Sequence, residues 1–390
     1  MVYLSLRNEI PSSQKMAGVY IHIPFCRSIC HYCDFYRVAS ACDAGLYTDA
    51  LKNELRLRAG YLRGEPVETI YFGGGTPSVL EADKIQEIIQ AVSQFHGVAG
   101  NSEITLEANP DDLSDAYLRS LRELTSVNRL SIGVQSFLDR DLVLMNRRHT
   151  AAEACECVER AKEHGFADIS VDLIYGIPGS TVADMAFNLN RLFNLEIQHL
   201  SAYHLTIEPK TVFYRKLEKG LITPVDEEDS HAQFTFLRKQ AGNRGFIHYE
   251  ISNWAKAGYF SRHNTGYWKG EAYIGLGPSA HSYDRVSRQW NVPDLRKYLR
   301  GITDEKPVFE KEVLTLNDHL NEVLLTSLRT MWGVDLQKIR QTFGLSVAET
   351  LMKGAEHYIC SGHVRKEGNI LTLTEDGYFI SDAIVRNLMV

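Results

Sequence analysis

What this 390-residue chain lacks narrows it first. No run of apolar residues is long enough to span a bilayer. The opening stretch MVYLSLRNEIPSSQKMA is broken by Arg7, Glu9 and Lys15 and has no apolar core of signal-peptide length, so no export signal is expected. There is no surplus of positive charge: 42 Lys and Arg face 49 Asp and Glu, a formal net charge of −7. Phosphate contacts need a basic surface, which argues against a general nucleic-acid binder. No low-complexity tract and no motif at a fixed period occurs. Cysteine is sparse and odd in number, seven in all. A secreted disulfide scaffold would be shorter and evenly paired, so a reducing, cytoplasmic setting is expected.

What is there begins with alternation. Gly18–Pro24, Glu68–Gly73, Glu103–Ala108, Arg129–Val134, Asp168–Gly176 and His199–Leu205 have the length and residue types of buried strands. Helical patterns near 43–60, 80–96, 114–125, 138–146, 151–165 and 181–195 lie between them. Thr150 with Glu153 predicts a capping box, and Asp43, Ser114 and Ser180 are candidate caps for other helices. Six strand–helix units imply a parallel sheet with its helices outside, either an open doubly wound sheet or an incomplete (β/α)6 barrel. Periodicity does not choose between them.

After 206 the pattern becomes irregular, with a helix expected at 226–243 and a glycine- and aromatic-rich stretch from Asn253 to Tyr283. Beyond Pro307, helical patterns at 317–330, 335–342 and 346–360 precede a hairpin turning at Glu367-Gly368-Asn369 and a helix near 375–388. These predict a smaller α+β, winged-helix-like domain. It has no basic stripe, so a lid or docking role is expected rather than DNA binding. The expected division is 1–206, 207–306 and 307–390.

Three of the cysteines fall in one loop, Cys26, Cys30 and Cys33, spaced C-x3-C-x2-C directly after the first strand. Thiolate ligates both zinc and iron–sulfur clusters. Structural zinc wants four protein ligands, and His31 is adjacent to Cys30, an awkward partner in a tetrahedral site. No second C-x-x-C occurs. A cubane held by three cysteines leaves one iron open for a ligand. Gly73-Gly74-Gly75-Thr76-Pro77 follows the second strand, where glycines allow close backbone approach, although a plain tight turn would also use them. Glu107 and Gln135 end strands three and four, and Asp172 lies in strand five; ligand groups in (β/α) barrels gather at such strand ends. Arg147 closes the following helix, a place where any cation is favourable.

This cysteine spacing resembles the signature of the radical S-adenosylmethionine (SAM) superfamily. The resemblance implies a [4Fe–4S] cluster whose open iron binds SAM, and an incomplete (β/α)6 barrel. YIHIPFC, YFGGGTP, LEANP, GVQSF, NRRHT and VDLIYGIPG together are similar to oxygen-independent coproporphyrinogen III oxidase and to the related HemW heme chaperone family. The likeness runs from about residue 18 to the C-terminus. It implies cluster ligation by Cys26, Cys30 and Cys33, and SAM contacts from Tyr20, Tyr32, Gly74, Gly75, Thr76, Glu107, Gln135, Arg147 and Asp172. Tyr203 and His281 are fainter candidates for the same pocket.

Two departures favour HemW over the oxidase. The oxidase pattern has a fourth cysteine two residues after the third, and Phe35 stands there instead; the oxidase also carries a longer N-terminal extension. His263-Asn264-Thr265-Gly266-Tyr267-Trp268 matches the H-N-x-x-Y-W motif of the HemW family, which implies heme binding by His263, Asn264, Tyr267 and Trp268. Imidazole is a common axial ligand of heme iron, and aromatic rings pack on a flat macrocycle. Taken alone, the same residues also read as a satisfied structural histidine beside core aromatics. The expectation is a heme chaperone that delivers heme to respiratory or other heme proteins, with peripheral membrane contact and a homodimer as further implications. Coproporphyrinogen III oxidation is the alternative. Cys42, Cys155, Cys157 and Cys360 read as bystanders.

Overall fold

The computed structural model describes residues 16–39 and 44–390, so the expected cap Asp43 and the bystander Cys42 lie outside it. The six expected strands form as β1 (Ala17–Ile23), β2 (Val67–Gly74), β3 (Val98–Ala108), β4 (Arg129–Gln135), β5 (Asp168–Tyr175) and β6 (His199–His204). They are parallel and pair in chain order.

The sheet extends past them. It adds β7 (Ile247–Glu250), β8 (Asn253–Ala255), β9 (Ala272–Leu276), β10 (His281–Tyr283), β11 (Ser287–Asn291) and β12 (Phe309–Val313), in the order β12-β11-β10-β9-β1-β2-β3-β4-β5-β6-β8-β7. β9 is a seventh parallel strand, beside β1. No pairing joins the two edges among the described residues. Tyr273, Tyr283 and Arg288 from one end of that order line the same cavity as Tyr203 and Asn253 from the other. The sheet is therefore rolled into an incomplete barrel, as the family resemblance implies. The short strands of the glycine- and aromatic-rich stretch carry too few residues to announce themselves by period.

Alternate residues in the middle of these strands are apolar and buried under the outer helices, among them Val19, Ile21 and Ile23; Ile104 and Leu106; Leu130, Ile132 and Val134; Val171 and Leu173. On the outside, helix Ala82–His96 buries Ile85, Ile88, Ile89 and Val92 at helical spacing. Each such side chain contributes about 1.5–3 kcal/mol relative to exposure. The intervening strand residues point inward and are mostly polar: Glu103, Thr105 and Glu107; Arg129 and Ser131; Asp168, Ser170 and Asp172; His199 and Ser201. Strands covered by helices on both faces read as continuous apolar runs. Here the inner face is polar because it encloses chambers and a hydrogen-bonded floor.

Helix capping follows the sequence with one correction. Ser114 accepts from the Tyr117 N–H, and Thr150 forms the capping box with Glu153. Helix Val182–Asn194 is capped by Thr181, not Ser180, because Thr181 has Asp184 at the three-residue offset that closes the box. Ser180 instead donates to buried Gln233 Oε1 at 3.3 Å.

A three-stranded antiparallel sheet, β13 (Val334–Asp335), β15 (Ile370–Leu373) and β14 (Val364–Glu367) in that order, carries the C-terminal helices. The expected hairpin turns at Gly368, whose φ of 59° suits glycine. The single helix expected at 375–388 is two, Glu375–Phe379 and Ser381–Leu388, broken at Ile380. The Met331 N–H donates to the Tyr249 carbonyl at 3.0 Å, tying this region to the barrel.

Candidate functional site

Two adjoining chambers occupy the barrel. The first, about 440 Å³, lies at the carboxyl ends of the parallel strands. The cysteine loop forms one wall. It is pinned by the Cys26 N–H on the Val38 carbonyl (3.2 Å) and the His31 N–H on the Met145 carbonyl (3.0 Å). His31 Nδ1 is 2.8 Å from the Leu144 carbonyl, which holds its ring away from the thiols. Cys26, Cys30 and Cys33 all border this chamber, and none forms a disulfide among the described residues. The three thiols are not drawn together into a closed coordination cage among the described residues. Burial raises the Cys26 pKa and pushes that of Cys33 up to about 11. Cluster ligation requires that the thiols lose their protons.

A relay of donors links two of these cysteines. Arg147 Nη1 donates to Cys30 Sγ at 3.3 Å, and its Nη2 donates to Asn109 Oδ1 at 2.7 Å and the Gly133 carbonyl at 2.5 Å. Asn109 Nδ2 donates to Thr76 Oγ1 at 3.3 Å, and that hydroxyl donates to Cys26 Sγ at 3.5 Å. Arg147 is thus committed to the chamber, not to a helix end. Asn109 was not singled out from the sequence, although it lies in LEANP two residues beyond Glu107.

The glycine loop is close-packed. A Cβ on Gly75 would stand 2.8 Å from the carbonyl oxygens of Ile23 and Phe25, and one on Gly74 (φ 108°) would strike His22. Gln135 holds a left-handed backbone, φ 69°, a conformation that costs a non-glycine residue about 1–3 kcal/mol and clusters at functional sites. Opposite the cysteines, Glu107 accepts from Tyr71 Oη at 2.7 Å, and Asp172 accepts from Ser131 Oγ at 3.2 Å. Burial pushes the Glu107 pKa up to about 7 and raises that of Asp172. Tyr32 also borders this chamber; Tyr20 does not.

The second chamber, about 640 Å³, is walled by Tyr20, His22, Tyr36, Asn264, Tyr267, Trp268, Tyr273 and Tyr283. Phe35 and Tyr203 border both chambers. His263 lies below, 3% exposed. Its Nδ1 is 2.8 Å from Thr69 Oγ1 and its Nε2 2.8 Å from Tyr267 Oη. Burial drives its pKa down to about 3, so the ring is neutral. Its helix, Arg262–Trp268, is anchored by Glu103, whose carboxylate accepts the N–H groups of Arg262 (2.8 Å) and His263 (3.0 Å). Arg129, buried and paired with Asp168, supplies the opposite charge beneath.

The radical SAM superfamily model matches residues 20–191, and the HemN C-terminal domain model matches residues 314–380. Over 374 residues the chain is 34% identical to the heme chaperone HemW of Bacillus subtilis, covering 95% of this chain and 98% of that one. It is 33% identical to heme chaperone HemW of Mycobacterium tuberculosis, with both chains covered completely.

The chain belongs to the HemW family.

A mitochondrial relative in Mus musculus, radical S-adenosyl methionine domain-containing protein 1, is 31% identical, covering 97% of this chain and 88% of that one. Among solved structures, the radical SAM enzyme coproporphyrinogen III oxidase (HemN) of Escherichia coli superposes with a TM-score of 0.84 at 23% identity, covering 100% and 93%. That likeness establishes a shared fold.

Membership of the radical SAM superfamily implies a [4Fe–4S] cluster and SAM, and the first chamber of this HemW-family chain fits both. It offers three thiols without a disulfide partner among the described residues, a glycine cradle that any Cβ would fill, and a buried Arg147 Nε that has no hydrogen-bond partner among them either. The same chamber is lined by two partly buried carboxyls, Glu107 and Asp172, suited to a cationic amino acid. Bound there, such a cluster would supply redox chemistry at the iron where SAM binds. The protein's own part is to cradle, charge-match and exclude water.

Proposed function

We propose that this HemW-family chain is a heme chaperone. It holds heme in the second chamber, carries a [4Fe–4S] cluster on Cys26, Cys30 and Cys33, and binds SAM between the glycine loop, Glu107, Gln135, Arg147 and Asp172. Asn264, Tyr267 and Trp268 are the residues of the heme motif that border the chamber. Support comes from one juxtaposition. An aromatic-walled cavity of cofactor size shares a wall with the cysteine chamber, in a chain similar along its whole length to proteins named heme chaperones. Respiratory or other heme proteins as recipients, a homodimer and a cytoplasmic setting belong to the same proposal. No helix among the described residues is long and apolar enough to cross a membrane.

Coproporphyrinogen III oxidation is less well supported. The likeness to the oxidase structure speaks for fold, and Phe35 stands where the oxidase pattern has its fourth cysteine. The test is anaerobic reconstitution followed by hemin titration and the oxidase assay on one sample. Saturable heme binding without protoporphyrinogen formation is expected; robust turnover refutes the chaperone reading.

A further inference from the structure

The second chamber is ringed by groups that could ligate iron, and nearly all are already engaged. His22 has Nδ1 3.2 Å from Tyr20 Oη and Nε2 2.9 Å from the Tyr36 carbonyl. Tyr36 Oη accepts the Leu295 N–H at 2.7 Å, and Tyr273 Oη accepts from Arg288 Nη1 at 3.2 Å. His263 uses both ring nitrogens below the chamber floor, and its hydrogen bond to Tyr267 occupies that hydroxyl too.

His281 differs. It opens β10, its side chain is exposed and borders the chamber, and its ring nitrogens make no hydrogen bond among the described residues. Its backbone is fixed. It pairs with Trp290 of β11, and Gly275 of β9 packs so closely that a Cβ there would stand 2.0 Å from the His281 carbonyl oxygen. The imidazole lies beside the Trp290 ring, centroids 6.4 Å apart. Partial burial and the Arg288 charge lower its pKa, which favours the neutral, ligating form.

We propose that His281, and not His263 of the H-N-x-x-Y-W motif, is the axial ligand of heme iron in this chamber. His263 instead orients Tyr267 and closes the floor. The assignment rests on the proposed heme function.

Hemin is titrated into the full-length, cluster-reconstituted protein and into His281→Ala, His281→Gln and His263→Gln, with Soret position, spin state and affinity as readouts. Wild type is expected to give an imidazole-ligated spectrum. Both His281 variants should lose it, with affinity lowered by at least roughly tenfold, and added imidazole should restore it in His281→Ala. Cluster iron content and circular dichroism should not change, because the side chain is exposed. His263→Gln should keep the imidazole-ligated spectrum at reduced affinity. His281 variants with wild-type spectrum and affinity overturn the ligand assignment alone; a wild type that binds no heme overturns it together with the heme function.

Discussion

Replacing Arg129 by Met tests how the barrel floor supports the chamber above it. Arg129 is 2% exposed, ion-paired with Asp168 on β5, and beside Glu103 on β3. Removing it leaves two carboxylates without their cation. They will not suffer equally. The Asp168 side chain keeps 29% of its exposure and can rehydrate or take a proton, whereas Glu103 is 7% exposed and is held in place by the Arg262 and His263 N–H groups that it accepts. Breaking a buried pair from one side costs about 3–5 kcal/mol. The relief available to Asp168 places this case near 3 kcal/mol, about a hundredfold in the folding equilibrium.

The cost should depend on pH. Burial already pushes the Asp168 pKa up to about 6 even with Arg129 beside it, and loss of the cation moves it higher. A carboxyl whose folded pKa is raised is most favourable below its unfolded value, and its contribution is lost as pH rises through the folded pKa. The Arg129→Met penalty should therefore be smaller at pH 5.5 than at pH 8. Adding Asp168→Asn should recover about 1–2 kcal/mol, because one uncompensated charge is gone. The assays are urea unfolding by circular dichroism and hydrogen exchange at the 262–268 amides, which should lose protection first. A penalty under about 1 kcal/mol, or strictly additive effects in the double variant, would refute the reasoning.

Other outcomes follow from the first chamber. Gly75→Ala must push apart two backbone carbonyls and should cost about 1–3 kcal/mol and lower iron incorporation, whereas Gly60→Ala, with open space around its Cβ, should do neither; equal thermal melts and iron content would contradict the cradle. SAM affinity should rise as pH goes from 6 to 8, because the Glu107 pKa lies near 7 and the carboxylate is the form that holds a cation. Calorimetry in two buffers should then show proton release, and a flat pH profile would remove Glu107 from the contact. Alanine at Cys26, Cys30 or Cys33 should abolish the absorbance of the reconstituted cluster, with Cys360→Ala unaffected; a full iron count in any of the three would overturn the ligand set.

Much of this architecture was legible because strand length and β-prone residue type are local signals, while the alternation of faces emerged only with the structure. EITLEA, RLSIGVQ and DISVDLIY read as buried strands from their residue types, and the structure then shows an apolar outer face and a polar inner one on each. The cysteine loop and GGGTP were legible as uninterrupted motifs. What stayed hidden depends on three-dimensional neighbours. Asn109 matters only because Arg147 and Thr76 converge on it from other segments. Glu103 looks like one more polar strand residue until the helix start at Arg262 arrives from far along the chain. Tyr20 is next to the cysteine loop in sequence yet faces the second chamber. His263 is distinctive as a letter in a motif, but which of its nitrogens are free could be learned only from its partners.

Phe35 and Tyr203 form a party wall between the two cavities. Any occupant that shifts these rings on one side changes the shape offered on the other. Thermodynamic reciprocity then applies: whatever factor SAM imposes on heme affinity, heme imposes the same factor on SAM affinity. On the proposed assignment of heme and SAM to these chambers, loading and release of heme would be coupled to occupancy of the neighbouring chamber through this shared wall.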